Sequence, residues 1–430
     1  MHQRYGRAGW EIHTSSPEAI KKVFLNADLF PKETLNTKSL RHSLLYKFFG
    51  KPNILTLNGN AWKEHRKLAN PAFQRSMPVI TFGQLTQQLF TEIDRNEVVE
   101  ITDLMTRLTL DAIGKAGFDF DFGSLTDKDN EYVKNYHSIM QGIRNPLFFL
   151  FPILESKFLW MFPKRQRVHD DLDQLTKMIE GIIDKKRLKI QNGEENNLQE
   201  NEKDLLSLML ESEFKGEGKL TTEELTSTIC IFFAAGHETT AYSLSSALYH
   251  LAKHPEIQQR AREEVIQILG DEPNDVLPTI KDTQNMAFVN QIIKEVLRMN
   301  PPITSTFSRK ATEDCDISGY FIPKDTRVIV NVLEAHYSEK NWTDPFVFNP
   351  DRFTESEKIQ SMTWIPFGSG VRQCIGLSFS LVEQRVVLSM LLRKYTWVLP
   401  DDSIHQESLK TKGQGLVGPI DLDIKFKRRY

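Results

Sequence analysis

A helix of about 50 Å, buried along its middle, is the feature around which the rest of this chain has to fold. The sequence marks its start with Thr221 and Glu224, a Thr-x-x-Glu capping box, and its end with His254-Pro255. Its centre, "STICIFFAAGHETTAYSLSSAL", is apolar nearly all round, so it is expected to be buried. Gly236 sits in mid-helix, where glycine costs ~1 kcal/mol relative to alanine. Glu238, Thr239 and Thr240 follow almost at once. A kinked core helix whose threonines back-bond to the preceding turn accounts for these residues without any chemistry.

Helical periodicity dominates elsewhere too. "SSPEAIKKVF" carries a Ser15-to-Glu18 capping box, and "NGNAWKEHRKLANPAF" reads as a short basic helix that stops before Pro71. "ETLNTKSLRHSLLYKFFGKPN" between them reads as a long irregular connection, and "QNGEENNLQENEK" (191–203) as an exposed polar loop. "MAFVNQIIKEVLRMNPP" predicts a helix with Met286, Val289, Ile293, Val296 and Leu297 as its apolar stripe. On that wheel Glu295 and Arg298 point away from the stripe, as an exposed i, i+3 pair. "YFIPKDTRVIVNV" predicts a hairpin around Pro-Lys-Asp-Thr. The expected fold is mostly α with a minor β-sheet, and no linker or repeat divides the 430 residues. With 40% hydrophobic and 26% charged residues the chain has an ample core, and a net charge of −3 gives no reason to expect nucleic acid as a partner. The longest apolar run, "ICIFFAA" (229–235), is too short to span a bilayer.

Cysteine usage narrows the chemistry. Cys230, Cys315 and Cys374 are widely spaced and odd in number, which fits neither a disulfide framework nor a zinc pattern. Cys374 lies in "FGSGVRQCIG", two residues from Arg372. Gly368, Gly370 and Gly376 let the backbone take φ > 0 or approach a flat ligand. An amphipathic helix follows, so the cysteine lies at its mouth, where the dipole favours an anion. A thiolate axial ligand to haem iron suits this setting, with Arg372 on a propionate. A catalytic cysteine nucleophile would need a histidine base, which no nearby sequence supplies. An inert buried cysteine is the commonest role of a lone Cys.

At this point the sequence resembles the cytochrome P-450 superfamily of haem-thiolate proteins. Phe367, Gly370, Arg372, Cys374 and Gly376 meet its signature Phe-x-x-Gly-x-Arg-x-Cys-x-Gly at every position. Ala235-Gly236-x-Glu238-Thr239-Thr240 resembles its oxygen-activation segment, and Glu295-x-x-Arg298 its buried pair, with Arg352 of "FNPDRF" as third member. Trp62-x-x-x-Arg66 and Arg309 fall where the family contacts haem propionates.

The resemblance, which covers nearly the whole chain, implies a single-domain fold over residues 1–430 enclosing haem b, its iron bound axially by Cys374. Trp62, Arg66, Arg309 and Arg372 would hold the propionates, and Phe367, Gly368, Gly376 and Ala235 would line the haem. Thr239 and Glu238 would guide protons to dioxygen, so that one oxygen atom enters an apolar small molecule and the other leaves as water. Too little chain follows Cys374 for a fused flavin domain, so electrons would come from a separate reductase. Glu295, Arg298 and Arg352 would be structural, and buried, against the wheel reading.

Eukaryotic relatives usually begin with a membrane anchor, so this chain reads as N-terminally truncated relative to them. The aromatic stretch 144–163 would roof a substrate pocket or contact a membrane peripherally, with plain core as the alternative. The compartment stays open: the reducing, cytosol-facing side, with or without association with the endoplasmic reticulum. Two other functions remain: a haem-thiolate isomerase or dehydratase, and an inactive truncated haem binder.

Overall fold

Caps and prolines set the helix boundaries in this computed structural model, which describes residues 1–6, 9–33, 40–194, 199–354, 359–413 and 415–430. After the hairpin β1 (His2–Gly6) and β2 (Gly9–Thr14), α1 (Pro17–Leu25) starts on Ser16, whose hydroxyl accepts from the Ala19 N–H at 3.4 Å. The cap falls one residue after the expected Ser15, because Pro17 occupies the first helical position. Helix α2 (Gly59–Arg75) runs through Pro71 rather than stopping before it. Proline removes one backbone bond there, but Leu68, Ala69, Ala72 and Phe73 are buried on either side and hold the helix together.

Next come α3 (Val79–Ile93), β3 (Val98–Glu100), α4 (Ile101–Phe118) and α5 (Glu131–Ile143). They are followed by α6 (Pro146–Leu150), α7 (Ile153–Lys157), α8 (Pro163–Gln191) and α9 (Leu205–Phe214). Helix α10 (Thr222–Lys253) is the long one, and the Thr221–Glu224 box caps it as expected, with bonds of 2.9 and 3.2 Å. The remainder comprises α11 (Pro255–Leu269), α12 (Ile280–Asn285), α13 (Ala287–Met299), β4 (Arg309–Lys310), β5 (Cys315–Ile317), β6 (Tyr320–Ile322) and β7 (Arg327–Val330). Last are α14 (Val332–His336), α15 (Leu377–Lys394), β8 (Tyr395–Val398), β9 (Thr411–Lys412), β10 (Gly418–Pro419) and β11 (Asp423–Arg428).

Two compact units result. One consists of Met1–Glu33, Val79–Thr109 and Glu238–Tyr430. Its main sheet has the order β1-β2-β7-β4, with β2 parallel to β7 and Thr14 opposite Val330. The predicted hairpin does not form: β6 pairs with β5, while β7 pairs with β2 and β4. Val328, between β2 and β4, and Val330, beside β2, are fully buried, whereas Tyr320 and Phe321 are exposed, so the two runs have opposite solvation needs. Helix α1 lays Ile20, Val23 and Phe24 on this sheet, against Ile12, Val328 and Val330. Helix α3 packs on α15 through Phe82 and Phe379, whose rings meet edge to face at 5.1 Å.

The other unit consists of Thr34–Pro78 and Leu110–His237. Here α5 packs on α8 and α2 on α9, and Phe233 of α10 meets Phe118 and Phe122. At Gly236 a Cβ would lie 3.1 Å from the Ile113 side chain of α4, closer than ordinary contact. Along 144–163 most large apolar side chains face solvent, Leu150, Phe151, Met161 and Trp160 (73% exposed) among them, so the plain-core reading fails. Glu155 is the inward anchor of that stretch, bonded to Arg165 at 2.8 Å, His169 at 3.0 Å and the Leu44 N–H at 3.2 Å. Of the polar stretch 191–203, Gln191 ends α8 and Glu200–Glu202 form a 3₁₀ turn, while 195–198 lie outside the described residues. Residues 34–39 of the expected irregular connection lie outside them as well.

Candidate functional site

The turn around Cys374 is anchored on α15. Gly376 caps that helix, and the Ser380 N–H closes its first turn on the Gly376 carbonyl at 2.9 Å. The Cys374 N–H donates to the Phe367 carbonyl at 2.9 Å and the Gln373 N–H to that of Gly370 at 3.0 Å, which closes residues 367–374 into a loop. Arg372 ends the 3₁₀ turn inside it. Gly368 (φ +65°) and Gly370 (φ +70°) occupy the left-handed region. At Gly370 space forbids a side chain as well, since a Cβ would lie 2.8 Å from the Phe24 carbonyl oxygen. Gly376 does not use that freedom; its φ is −81°, and it serves as a helix cap.

Of the three cysteines only Cys374 is exposed. Burial pushes the Cys230 thiol up to about 12 and also raises that of Cys315, so neither favours a thiolate. Among the described residues no cluster of three His, Cys, Asp or Glu side chains could hold a metal ion. Haem iron is a metal that one cysteine thiolate can hold, because it carries most of its ligands with it.

Behind the loop lies a charged clasp. Glu295 and Arg298 are both 0% exposed and pair through two bonds, at 2.7 and 2.9 Å. The exposed-pair reading of the helical wheel is wrong. Arg298 also donates to the carbonyls of His336 at 2.9 Å and Pro345 at 2.8 Å, while Glu295 accepts from Arg352 Nε at 3.1 Å and the Asn349 N–H at 3.0 Å. Arg352 reaches three further carbonyls, of Thr343, Asp344 and Val347. Residues 336–352 thus cover the polar face of α13, a fact that wheel periodicity does not contain.

Sequence reasoning missed His336. Its Nδ1–H donates to the Arg298 carbonyl at 3.0 Å, and its Nε2 accepts the Ile365 N–H at 2.9 Å, two residues before Phe367. Those two bonds require the neutral ring, and burial pushes its pKa down to about 3. A lone histidine in "LEAHYS" carries no local signal of this bridge. Trp364 adds a second tie, donating its indole N–H to the Lys294 carbonyl at 3.0 Å and packing edge-on to Phe367.

Arg309 fits an anionic ligand. It is buried, donates from Nη1 to the Phe30 carbonyl at 3.0 Å, and has no ion-pair partner among the described residues. Its Nε is buried and has no hydrogen-bond partner among them. Burial pushes its pKa down to about 10, the direction expected of a desolvated cation lacking a counter-charge. A propionate is the chemistry such a group calls for.

Helix α10 has one open face. From Leu225 to Ala252 only Ala235, Gly236, Thr239 and Tyr242 escape burial, and their i, i+4, i+7 spacing puts them on one side. Glu238 is buried beside them, and Thr240 bonds to Ser380 of α15 at 3.0 Å. Tyr242 was not singled out in the sequence, although the same spacing would have found it. Trp62, Arg66 and Ala235 belong to the second unit, the other site residues to the first. Within α2 the Arg66 guanidinium lies 5.7 Å from the ring centre of the buried Trp62.

The family model of cytochrome P450 matches residues 12–426. Cytochrome P450 3A12 of Canis lupus familiaris is 29% identical over 429 residues, covering 94% of this chain and 80% of that protein. Cytochrome P450 3A29 of Sus scrofa is 31% identical over 392 residues, covering 85% of this chain and 74% of that protein. Among solved structures, the cytochrome P450DA haem domain superposes with a TM-score of 0.83 at 24% identity, covering 100% of this chain and 90% of that one.

Proposed function

The chain belongs to the cytochrome P450 family of haem-thiolate monooxygenases, and we propose that it oxygenates an apolar organic molecule and that the Cys374 thiolate would hold its haem b. The Cys374 turn carries this assignment: it holds the one exposed cysteine, just before a helix N-terminus, on glycines that leave no room for a side chain at Gly370. Haem bound there would supply the reductive activation of dioxygen, in which substrate, O2, two electrons and two protons give hydroxylated product and water.

The chain's own groups have separable tasks. Arg309, Arg372, Arg66 and Trp62 would hold the propionates, with Phe367, Gly368, Gly376 and Ala235 lining the haem. The buried Glu238 and the open-faced Thr239 would move protons toward the reacting oxygen. Glu295, Arg298 and Arg352 would keep the segment before the cysteine turn in place. The open face of α10 at Thr239 favours oxygen activation over an isomerase or dehydratase, which needs no reductase.

Electrons would come from a separate reductase. Among the described residues no helix is long and apolar enough to cross a membrane. The exposed apolar stretch from Leu147 to Met161, followed by Lys164 and Arg167, supports peripheral contact with a membrane on its cytosol-facing side. Trp160→Ser with Phe151→Ser should lower recovery with sedimented lipid vesicles, and unchanged recovery would remove that contact.

The purified protein should bind one haem, and its ferrous carbon monoxide complex should show the red-shifted Soret band of a thiolate ligand. Cys374→Ala should lose the band with Cys230 and Cys315 intact. Retention of the band would overturn the ligand assignment.

A further inference from the structure

Serine and threonine hydroxyls inside a helix commonly bond to the carbonyl one turn back, as Ser245 does to Ala241 at 2.8 Å. Ser243 instead donates to Gln384 Oε1 of α15 at 2.7 Å. Gln384 donates from Nε2 to Ser380 Oγ at 3.1 Å, and Ser380 Oγ lies 3.0 Å from Thr240 Oγ1. Thr240, Ser243 and Gln384 are buried. Ser380 is also the residue whose N–H closes on Gly376, two residues after Cys374. A short path of bonds therefore runs from the cysteine turn through Ser380 to Thr240, the neighbour of Thr239.

We propose that Ser380 and Gln384 are positioning residues that fix how Thr239 is presented to the group bound by Cys374. Sliding or rotating α10 against α15 would break the Ser243–Gln384 and Ser380–Thr240 bonds together, leaving buried hydroxyls and an amide unsatisfied. Helix α15 begins three residues after Cys374, so the same bonds tie the register of α10 to the cysteine turn. The inference rests on the haem-thiolate reading, but not on the identity of the substrate.

Ser380→Ala cuts the link to Thr240, and Gln384→Met removes the amide at nearly constant volume. The first readout is the infrared stretch of carbon monoxide bound to the ferrous protein, which senses the polar groups around the bound gas and needs no turnover. Both variants should bind haem yet shift or broaden that band. Product formed per electron should fall about fivefold, the factor that ~1 kcal/mol, the net worth of one hydrogen bond, converts to. Ser380→Thr, which keeps the hydroxyl, should restore the band and the yield.

An unchanged band and yield in both variants would overturn the proposal, whatever happens to the melting temperature. Loss of haem binding in both would overturn it too, since the bonds would then serve folding alone. A wild-type protein that binds haem and carbon monoxide but makes no oxygenated product would sink the monooxygenase reading, while the band would still decide on positioning.

Discussion

Glu295→Ala should remove most of the folded holoprotein, because of what it leaves behind. The carboxylate neutralises Arg298 through two short bonds in a setting where both side chains are 0% exposed. Without it, Arg298 retains the carbonyls of His336, Pro345 and Val347, which can accept hydrogen bonds but carry no net charge. Stranding one partner of a buried ion pair costs about 3–5 kcal/mol, a large part of a stability of about 5–15 kcal/mol. Arg352 is different: its side chain is 11% exposed and holds three other carbonyls, so Arg352→Ala should cost less.

Urea midpoints of the holoprotein, with haem content per chain, would measure the series. Glu295→Gln should fall between wild type and alanine, since it keeps an acceptor and loses the charge. Arg298→Lys should not rescue, because one ammonium cannot replace a guanidinium fork with four partners. Glu295→Leu combined with Arg298→Met removes both charges and should be more stable than Glu295→Ala. A near-wild-type midpoint for Glu295→Ala, or a double variant no more stable than Glu295→Ala, would refute the reasoning.

The buried histidines should give the protein an acid limb. His336 has its pKa pushed down to about 3 and His250 to about 4, against an ordinary 6.5, so protons bind the unfolded chain first. Their stabilisation is complete above about pH 6.5 and is lost as pH falls, at up to about 1.4 kcal/mol per pH unit for each group. His336→Gln should flatten the urea-stability slope between pH 6.5 and 5, and an unchanged slope would rule that residue out. Thr239→Ala should still bind haem and accept electrons, but release more hydrogen peroxide and less product per electron, with supplied peroxide bypassing much of the defect. Coupling equal to wild type would mean that the proton path does not run through Thr239.

What could be read from sequence was local. The Thr221–Glu224 cap and the end of α10 at His254 depend on neighbours a few residues apart, and both stand in the structure. The glycines at 368 and 370 announce a left-handed turn for the same reason. The wheel failed at Glu295 and Arg298 because the cover over that face comes from residues 336–352, which no periodicity within α13 can report. Strand propensity found β6 and β7 but not their partners: β7 sits beside β2, far away in sequence. His336, Ser380 and Gln384 owe their roles to contacts between distant elements, and a lone polar residue in an apolar run looks the same with or without them. Motif resemblance reached the clasp where periodicity could not, because it carries information about folded relatives rather than about one helix.

The pairing of β2 with β7 also has a consequence for synthesis on the ribosome. About 300 residues separate Thr14 from its partner Val330. At ~5–20 residues per second the first strand emerges on the order of 15–60 s before the second exists. Throughout that time the apolar face of α1, with Ile20, Val23 and Phe24, has β1 and β2 beside it but lacks Val328 and Val330 of β7. The Phe24 carbonyl, against which Gly370 closes, waits longer still for the cysteine turn. The nascent chain therefore carries at its beginning an apolar face whose cover only its end can complete.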